Sequence, residues 1–243
     1  MTEADMFAMA IVKGMPEIVR SAIENGVNVN TPGGNGTPPI VLAAAKAELE
    51  VVNLLLAAGA NVNQPDRNGG LTALHAAVAD SRKDIVKALI RAGAEINAAF
   101  GDPPMTALSI AFRKNDKEIQ RMLLEARANP NVLINAPTDP PDKQGITPLI
   151  YAASEGDLAT VQLLLQHGAD PNLPKKDGIT PLVTAIFQGR TQVSRALLDA
   201  GAKPDAFQAP FGPIDLAIKL GHREIAQLLA NRGARPMKGA GNH

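Results

Sequence analysis

The sequence contains no cysteine and no tryptophan, and aromatic residues make up only 3% of its 243 residues. Without cysteine there is no disulfide bond, no thiol nucleophile and no cysteine zinc site. So few aromatic side chains argue against an aromatic-lined pocket and against a surface that stacks nucleic-acid bases. These absences make many classes of enzyme and of nucleic-acid-binding protein poor candidates.

The sequence also lacks an excess of charge of one sign, because 24 Lys and Arg residues balance 24 Asp and Glu residues. A balanced charge provides no global field for nucleic acid or an anionic membrane. Long apolar runs are missing too, since charged residues such as Lys46 and Glu48 interrupt the apolar stretches. The first residues do not form a secretion signal, so we expect a cytoplasmic protein, or a periplasmic one if a signal segment has been removed.

Catalytic signatures are absent as well. The four histidines fall at unrelated positions without an acidic partner at ligand spacing, and no zinc-protease or phosphate-loop motif occurs. No serine stands in a nucleophile-elbow motif, and Asp139 and Asp142 are separated by two prolines in a loop. We therefore expect a protein that is not an enzyme and that binds neither a metal nor a cofactor.

What the sequence does contain is a recurring unit, and its most regular copy runs from Gly145 to Asn172. Thr147 is positioned to cap a helix that begins at Pro148, where a missing N–H costs nothing. Apolar residues at helical spacing then predict two short helices, and Gly168 closes the second in a left-handed conformation. Helices shorter than about 12–15 residues are marginal alone, so the unit needs copies of itself to pack against.

The glycine that closes the second helix marks the copies. It recurs six times, and Arg127 stands in its place in a seventh copy, with intervals of 32 to 34 residues and one of 41. A period near 33 residues indicates a stacked repeat protein. The closing glycines are Gly26, Gly59, Gly93, Gly168, Gly201 and Gly233.

With TALHAA at Thr72–Ala77 and TPLIYAA at Thr147–Ala153, the sequence resembles ankyrin repeats from about Asp5 to Ala234. The resemblance implies an all-α solenoid of about seven helix–turn–helix repeats with β-turn fingers, curved and with a concave face. It also implies that His75 bonds the backbone of a neighbouring turn. We expect a single domain at 1–235, a disordered tail at 236–243, capping repeats at both ends and a monomer. The repeats are predicted at 5–30, 31–63, 64–97, 98–131, 142–172, 173–205 and 206–234, with a finger insertion at 132–141.

Some copies depart from the pattern. Asp5 is the candidate cap of the first helix. Pro38 stands where Thr would cap the second repeat, so that hydroxyl cap is lost or shifted to Thr37. Because Arg127 replaces a glycine, the end of its helix should be strained or differently shaped.

Three features predict where a partner binds. The residue before the helix cap is apolar in several repeats, and in the family this position lies beside the concave face; packing between adjacent fingers is the alternative explanation. Phe187 occupies a position that is usually polar, and the surplus residues from Val132 to Lys143 form a longer finger, unless they are a neutral surface insertion. The predicted partner-binding residues are Met105, Arg113, Lys114, Pro137, Asp139, Lys143, Ile146, Tyr151, Glu155, Ile179, Phe187 and Phe211.

The resulting functional hypothesis is non-catalytic recognition of a protein partner through the concave face and the extended finger, without nucleic acid or membrane. An alternative is an inhibitor or immunity protein, similar to related bacterial ankyrin proteins, that blocks the active site of a companion enzyme such as a hydrolase. A structural or designed module without a partner is the other alternative.

Overall fold

The computed structural model describes residues 2–134, 145–206 and 211–236, which fold mainly as short α-helices. The chain divides into two compact units, Met1–Ala128 (unit 1) and Asn129–His243 (unit 2). Among the described residues, no helix is both long and apolar enough to cross a lipid bilayer.

In unit 1 the described residues form consecutive pairs of helices. The first helices of successive pairs pack against one another, and so do the second helices. An antiparallel hairpin with two residues in each strand precedes the last pair of helices. The elements are α1 (Glu3–Val12), α2 (Pro16–Glu24), α3 (Pro39–Lys46), α4 (Leu49–Ala57), α5 (Ala73–Ala79), α6 (Lys83–Arg91), β1 (Ala99–Phe100), β2 (Met105–Thr106), α7 (Ala107–Arg113) and α8 (Lys117–Glu125).

Unit 2 repeats the same arrangement, with first helices packed on first helices and second helices on second helices. Its elements are α9 (Pro148–Glu155), α10 (Leu158–Gln166), α11 (Pro181–Phe187), α12 (Thr191–Asp199), α13 (Pro213–Lys219) and α14 (Arg223–Asn231). The described helix pairs confirm the predicted all-α repeat fold.

Local sequence explains where these helices begin and end. The Thr147 hydroxyl accepts the N–H of Ile150 at 3.3 Å, and Pro148 is the first helical residue, as predicted. All six closing glycines have φ between +82° and +90°. Arg127 adopts the same left-handed conformation, with φ of +67°, so this helix end keeps its shape and carries the strain instead.

The predicted cap of α1 at Asp5 was wrong, whereas the loss of the hydroxyl cap before α3, one of the two predicted outcomes, is confirmed. Thr2 caps α1, since its hydroxyl accepts the N–H of Asp5 at 3.2 Å while the Asp5 carboxylate accepts the N–H of Thr2 at 2.8 Å. Asp5 also accepts the N–H of Gly34 at 2.8 Å, and these backbone hydrogen bonds lower its pKa to about 2. α3 has no hydroxyl cap, because Pro38 occupies the cap position and Thr37 does not replace the missing bond.

Alanine and larger aliphatic side chains together form the core of the described repeats. Alanines such as Ala44 and Ala77 are fully buried on the first helices, where small side chains let neighbouring helices approach closely. Leucines such as Leu55, Leu89 and Leu164 are fully buried on the second helices. The core is thus mainly aliphatic, as the low aromatic content predicts, and it includes the buried Phe7 and Phe112.

His75 is a structural residue and is 1% exposed. Its Nε2 lies 3.0 Å from the carbonyl oxygen of Ala98, and its Nδ1 lies 2.9 Å from the Thr72 hydroxyl. Because the carbonyl oxygen only accepts, Nε2 carries the proton. Burial lowers the pKa of His75, although the hydrogen bond to Ala98 acts in the opposite direction. The expected bond to a neighbouring turn is confirmed.

A series of asparagines, here called the asparagine ladder, links successive repeats. In unit 1 it consists of Asn30, Asn63 and Asn97. The Asn30 side chain donates to the carbonyl of Gly59 at 3.2 Å and accepts the N–H of Asn61 at 2.7 Å, both in the following repeat. Asn63 makes the same pair of contacts one repeat later, and the side chain of Asn97 again donates to the backbone of the next repeat.

Unit 2 continues the ladder with Asn131 and Asn172. The Asn172 amide donates to the carbonyl of Gly201 at 3.1 Å, and its oxygen accepts the N–H of Lys203 at 2.8 Å. Asn131 makes the equivalent contacts with the repeat that contains α10. Each ladder asparagine in unit 2 therefore satisfies one backbone donor and one backbone acceptor of the next repeat.

Candidate functional site

The candidate site lies in unit 2, where residues of the two packed first helices α9 and α11 and of the turns before them line a cleft of about 340 Å³. It opens beside the turns that precede these helices. Its lining is mainly apolar, with a few polar groups, and consists of Ile146, Ile150, Tyr151, Ser154, Lys175, Ile179, Thr184, Phe187 and Gln188.

Helix capping positions two of the walls. Thr147 caps α9, and the Thr180 hydroxyl caps α11 by accepting the N–H of Val183 at 3.3 Å. Ile146 and Ile179 each come directly before such a cap, so they occupy equivalent positions in adjacent repeats. Both are half-buried, and both line the same cleft.

The opposite end of the cleft is formed by the ends of the helices. Phe187 is the last residue of α11 and remains 44% exposed, which makes it one of the large exposed apolar side chains of the described chain. The equivalent residue on α9 is Ser154, whose hydroxyl donates to the Tyr151 carbonyl at 3.0 Å. Because the serine is small and hydrogen-bonded to its own helix, it leaves room beside the phenylalanine ring.

The polar edge of the cleft is provided by the turn before α11. The Lys175 ammonium lies 2.8 Å from a carboxylate oxygen of Asp177, and the Lys175 N–H donates to the Ile179 carbonyl at 3.0 Å. Desolvation opposes ionisation of Asp177, but hydrogen bonds from Lys175 and from the N–H of Ile179 outweigh it, so its pKa is lowered. The turn therefore presents a paired ion beside apolar walls.

This arrangement suits recognition of an apolar group. The lining contains no histidine or carboxylate that would act as a general base, and no group of metal-ligating side chains occurs in the part of the chain that the structure describes. Apolar walls with a few convergent polar groups are the usual composition of a binding site.

The structure brings together four of the residues predicted from the sequence. Ile146, Tyr151, Ile179 and Phe187 all line the cleft. Glu155 is exposed at the end of α9, next to the cleft residue Ser154 but not part of the lining.

Phe211 belongs to the next repeat of unit 2. It is half-buried, and the ammonium of Lys219 lies 4.2 Å from the centre of its ring, within the range of a cation–π interaction. Phe211 is therefore partnered by its own repeat and does not line the cleft.

Three further predicted residues lie in unit 1. Met105 is half-buried in β2, and Arg113 and Lys114 are exposed at the end of α7. Nothing in unit 1 tests their role, so their part in partner binding stays a prediction.

The remaining three predicted residues, Pro137, Asp139 and Lys143, lie outside the described residues. On either side of residues 135–144, which the structure does not describe, the N–H of the buried Ile134 donates to the carbonyl of Ile146 at 3.0 Å. Ile134, which belongs to the predicted insertion, is thus hydrogen-bonded to a residue that lines the cleft.

Sequence reasoning missed several lining residues. Ile150 occupies the position that His75 holds in its own repeat, and Thr184 lies one turn before Phe187. Lys175 was missed because only the structure shows that its backbone N–H donates to the Ile179 carbonyl and that the residue lines the cleft.

Comparison with known proteins gives a consistent result along the chain. The model of the family described as "Ankyrin repeats (3 copies)" matches residues 6–100, 67–134, 100–175, 132–208 and 157–239. Among solved structures, the ankyrin repeat domain of Bcl-3, described as a unique member of the IkappaB protein family, is 28% identical with a TM-score of 0.69, over 92% of this chain and 97% of that one. An ankyrin repeat domain from Acinetobacter baumannii AYE is 30% identical with a TM-score of 0.67, over 81% of this chain and 98% of that one.

Curated relatives match a shorter stretch. Ankyrin repeat family A protein 2 from Mus musculus, Bos taurus and Homo sapiens is 56% identical over 32 residues, which is 13% of this chain and 10% of each relative. The chain thus aligns with only about a tenth of the length of these relatives, so their likeness concerns a single repeat. The family matches and the repeat-by-repeat structure lead to one conclusion: the chain belongs to the ankyrin-repeat family.

Proposed function

We propose that the chain is a non-catalytic binding module, and that the cleft between α9 and α11 holds a bulky apolar side chain of a protein partner. Ankyrin repeats generally mediate protein–protein interactions and are typically non-catalytic scaffolds. The observation that carries the proposal is the exposed Phe187, which stands at the edge of an apolar cleft instead of packing into the core.

The size of the cleft supports a side chain as its ligand. At about 340 Å³ it lies at the lower end of the range for small-molecule pockets, roughly 300–1,000 Å³. That volume accommodates an anchor such as Leu or Phe with part of its backbone. Tyr151 and Phe187 give this anchor two aromatic surfaces, and aromatic residues in such pockets dominate the energetics of interfaces.

The rigidity of the surface supports tight binding. Ile146 and Ile179 are held by capped helices, and Lys175 is held by its ion pair and its turn. Because these groups are ordered before the partner arrives, association costs less conformational entropy than binding to a mobile loop.

Affinity capture from the source cells tests the proposal. The bait is the full chain, either unaltered or carrying Phe187→Arg, which places a charge at the cleft. Ile218→Arg is the matched control, because Ile218 is a 59% exposed apolar residue in the same unit that does not line the cleft. We expect one protein to be retained by the unaltered chain and by Ile218→Arg but lost with Phe187→Arg. Equal recovery with both variants would reject the cleft as the binding site.

A second candidate function is inhibition of a companion enzyme. It is favoured by the hydrogen bond between Ile134 and Ile146, which anchors the base of the insertion beside the cleft. Replacing residues 135–144 with a glycine–serine linker of equal length should then abolish inhibition of the captured enzyme. Unchanged inhibition would show that the insertion does not block the enzyme, and it would reject this second function.

A further inference from the structure

One side of unit 1 carries apolar side chains that the other described residues of the unit leave uncovered. α1 and α2 border a groove of about 460 Å³, on which Met6 is 52% exposed and Ile18 is 53% exposed. We call Met6, Phe7, Ile18 and Ala22 the amino-terminal face. A capping repeat, as predicted here from the sequence, would present a polar outer side, and this face is apolar.

The equivalent positions in the following repeats of unit 1 are buried against a preceding repeat. Ile18 is equivalent to Val51, Ile85 and Ile119 in the next three repeats. Those three side chains are only 0–2% exposed, because the helices of the preceding repeat cover them. The amino-terminal face therefore has the composition of an internal junction between repeats and suits a packed helix.

The charge beside the face is also that of a junction. The second residue of the second helix is a glutamate in several repeats. In those repeats it forms an ion pair with a basic residue of the preceding repeat. Glu50 lies 3.2 Å from the guanidinium of Arg20 in unit 1, and Glu224 lies 3.7 Å from that of Arg195 in unit 2. The equivalent residue on α2 is Glu17, which lies at the edge of the groove with its side chain 83% exposed. Its carboxylate lies 3.8 Å from the guanidinium of Arg20 on the same helix and has no cation from another described repeat.

The same features argue against a second copy of this chain as the occupant. Two copies meeting face to face would bring Glu3 and Glu17 of both together, and these two acidic residues line the groove without a basic one. A copy stacking by its last repeat would offer Gln227 where Arg20 and Arg195 stand, and the Gln227 amide already donates to the Asn231 side chain at 3.0 Å.

We propose that the amino-terminal face binds an amphipathic helix of another protein. The helix places aliphatic side chains against Met6 and Ile18 and an arginine or lysine against Glu17. The residues that line this face differ from those that line the cleft in unit 2, so this would be a second protein-binding site beside the proposed one.

A stapled helical peptide with the sequence of residues 15–25 is a suitable probe. Within the chain, this segment covers the equivalent face of the second repeat, with Arg20 paired to Glu50. We expect saturable binding of the fluorescent peptide to the full chain, and at least a tenfold loss of affinity for Ile18→Glu. Leu133→Glu, which changes a 53% exposed leucine in unit 2, is the matched control and should bind normally.

A charge exchange separates specific docking from general stickiness. Glu17→Lys should weaken binding of the arginine peptide severalfold, and it should bind the peptide carrying Arg20→Glu more tightly than the unaltered chain does. Because Glu17 and Ile18 are exposed, both variants should unfold at the temperature of the unaltered chain.

Failure of either peptide test, or dimerisation through this face, would overturn the proposal. The peptide tests fail if the peptide binds equally to the unaltered chain and to Ile18→Glu, or if Glu17→Lys produces no exchange of preference. Dimerisation would be seen as a dimer in sedimentation equilibrium that Ile18→Glu converts to a monomer, and the face would then belong to a second copy.

Discussion

The asparagine ladder and the cleft between α9 and α11 lie in the same repeats but use the repeat differently. The ladder position is asparagine in five repeats, and its contacts with the next repeat recur in both units. The position of Phe187 changes from repeat to repeat, being for example Ala79, Arg113, Ser154 and Lys219 elsewhere. Recurring side chains stabilise the stack of repeats, whereas Phe187, which breaks the pattern at an exposed position, belongs to the proposed binding site.

The largest effect on stability is expected from a change in the asparagine ladder. Asn172→Ala removes one donor and one acceptor that serve the next repeat, at 3.1 Å and 2.8 Å. We expect the free energy of unfolding to fall by about 2 kcal/mol, roughly 1 kcal/mol for each hydrogen bond. Urea denaturation measures this, and affinity for the partner should not change. Asn172→Asp keeps the acceptor alone and should lose about half as much.

The cleft should respond in the opposite way. Phe187→Ala should weaken partner binding by about tenfold or more, equivalent to about 1.4 kcal/mol, because it removes an aromatic anchor. Since Phe187 is 44% exposed, unfolding should change by less than about 0.5 kcal/mol. Isothermal titration and urea denaturation of one preparation test both statements. A stability loss as large as that of Asn172→Ala would mean that Phe187 belongs to the stack.

Arg127 provides a test in which the regular residue is restored. Its φ of +67° is costly for any residue with a side chain, so Arg127→Gly should stabilise the chain by about 0.5–1 kcal/mol. The bond from Asn97 is to the backbone carbonyl of residue 127 and should be retained. Gly93→Ala, at φ of +85°, is the converse control and should destabilise. If Arg127→Gly is neutral or harmful, the strain is compensated by contacts of the arginine side chain.

The pH dependence of the free energy of unfolding tests whether the buried His75 stabilises the fold in its neutral form. Burial lowers the pKa of His75 below its ordinary value of about 6.5, so the unfolded chain binds a proton at a higher pH than the folded chain does. Stability should be fully present above about pH 6.5 and should fall as the pH decreases toward the folded-state pKa. Urea denaturation at pH 7 and pH 5 should show a smaller loss for His75→Gln, and an unchanged loss would assign the effect to other groups.

The smallest effect on the free energy of unfolding is expected for the ion pairs between second helices of adjacent repeats. Arg195 and Glu224 are separated by 3.7 Å, and both side chains are about half exposed or more. Arg195→Gln should therefore change the free energy of unfolding by less than about 0.5 kcal/mol. A loss comparable to that of the ladder variant would show that this pair contributes to the stack as strongly as the asparagines.

Several features could be predicted because they depend on nearby residues. The helix that begins at Pro148 is capped by Thr147, and Gly168 adopts a left-handed conformation, since turn chemistry acts over a few residues. The cap of α1 was misplaced because Thr2 and Asp5 form a reciprocal pair, in which either end reads as the cap. The ladder was visible in the sequence only as a recurring asparagine, because its partners lie about 30 residues away.

The sequence by itself determined the repeat, the order of the helices and the family, because a period near 33 residues and its turn residues are local and redundant. Only the tertiary structure decided which side chains share a surface. Ile146, Lys175 and Phe187 meet in one cleft because two helices pack side by side, and Ile18 is exposed because no described helix of unit 1 covers it. Exposure and proximity depend on contacts between distant residues, and no local pattern encodes them.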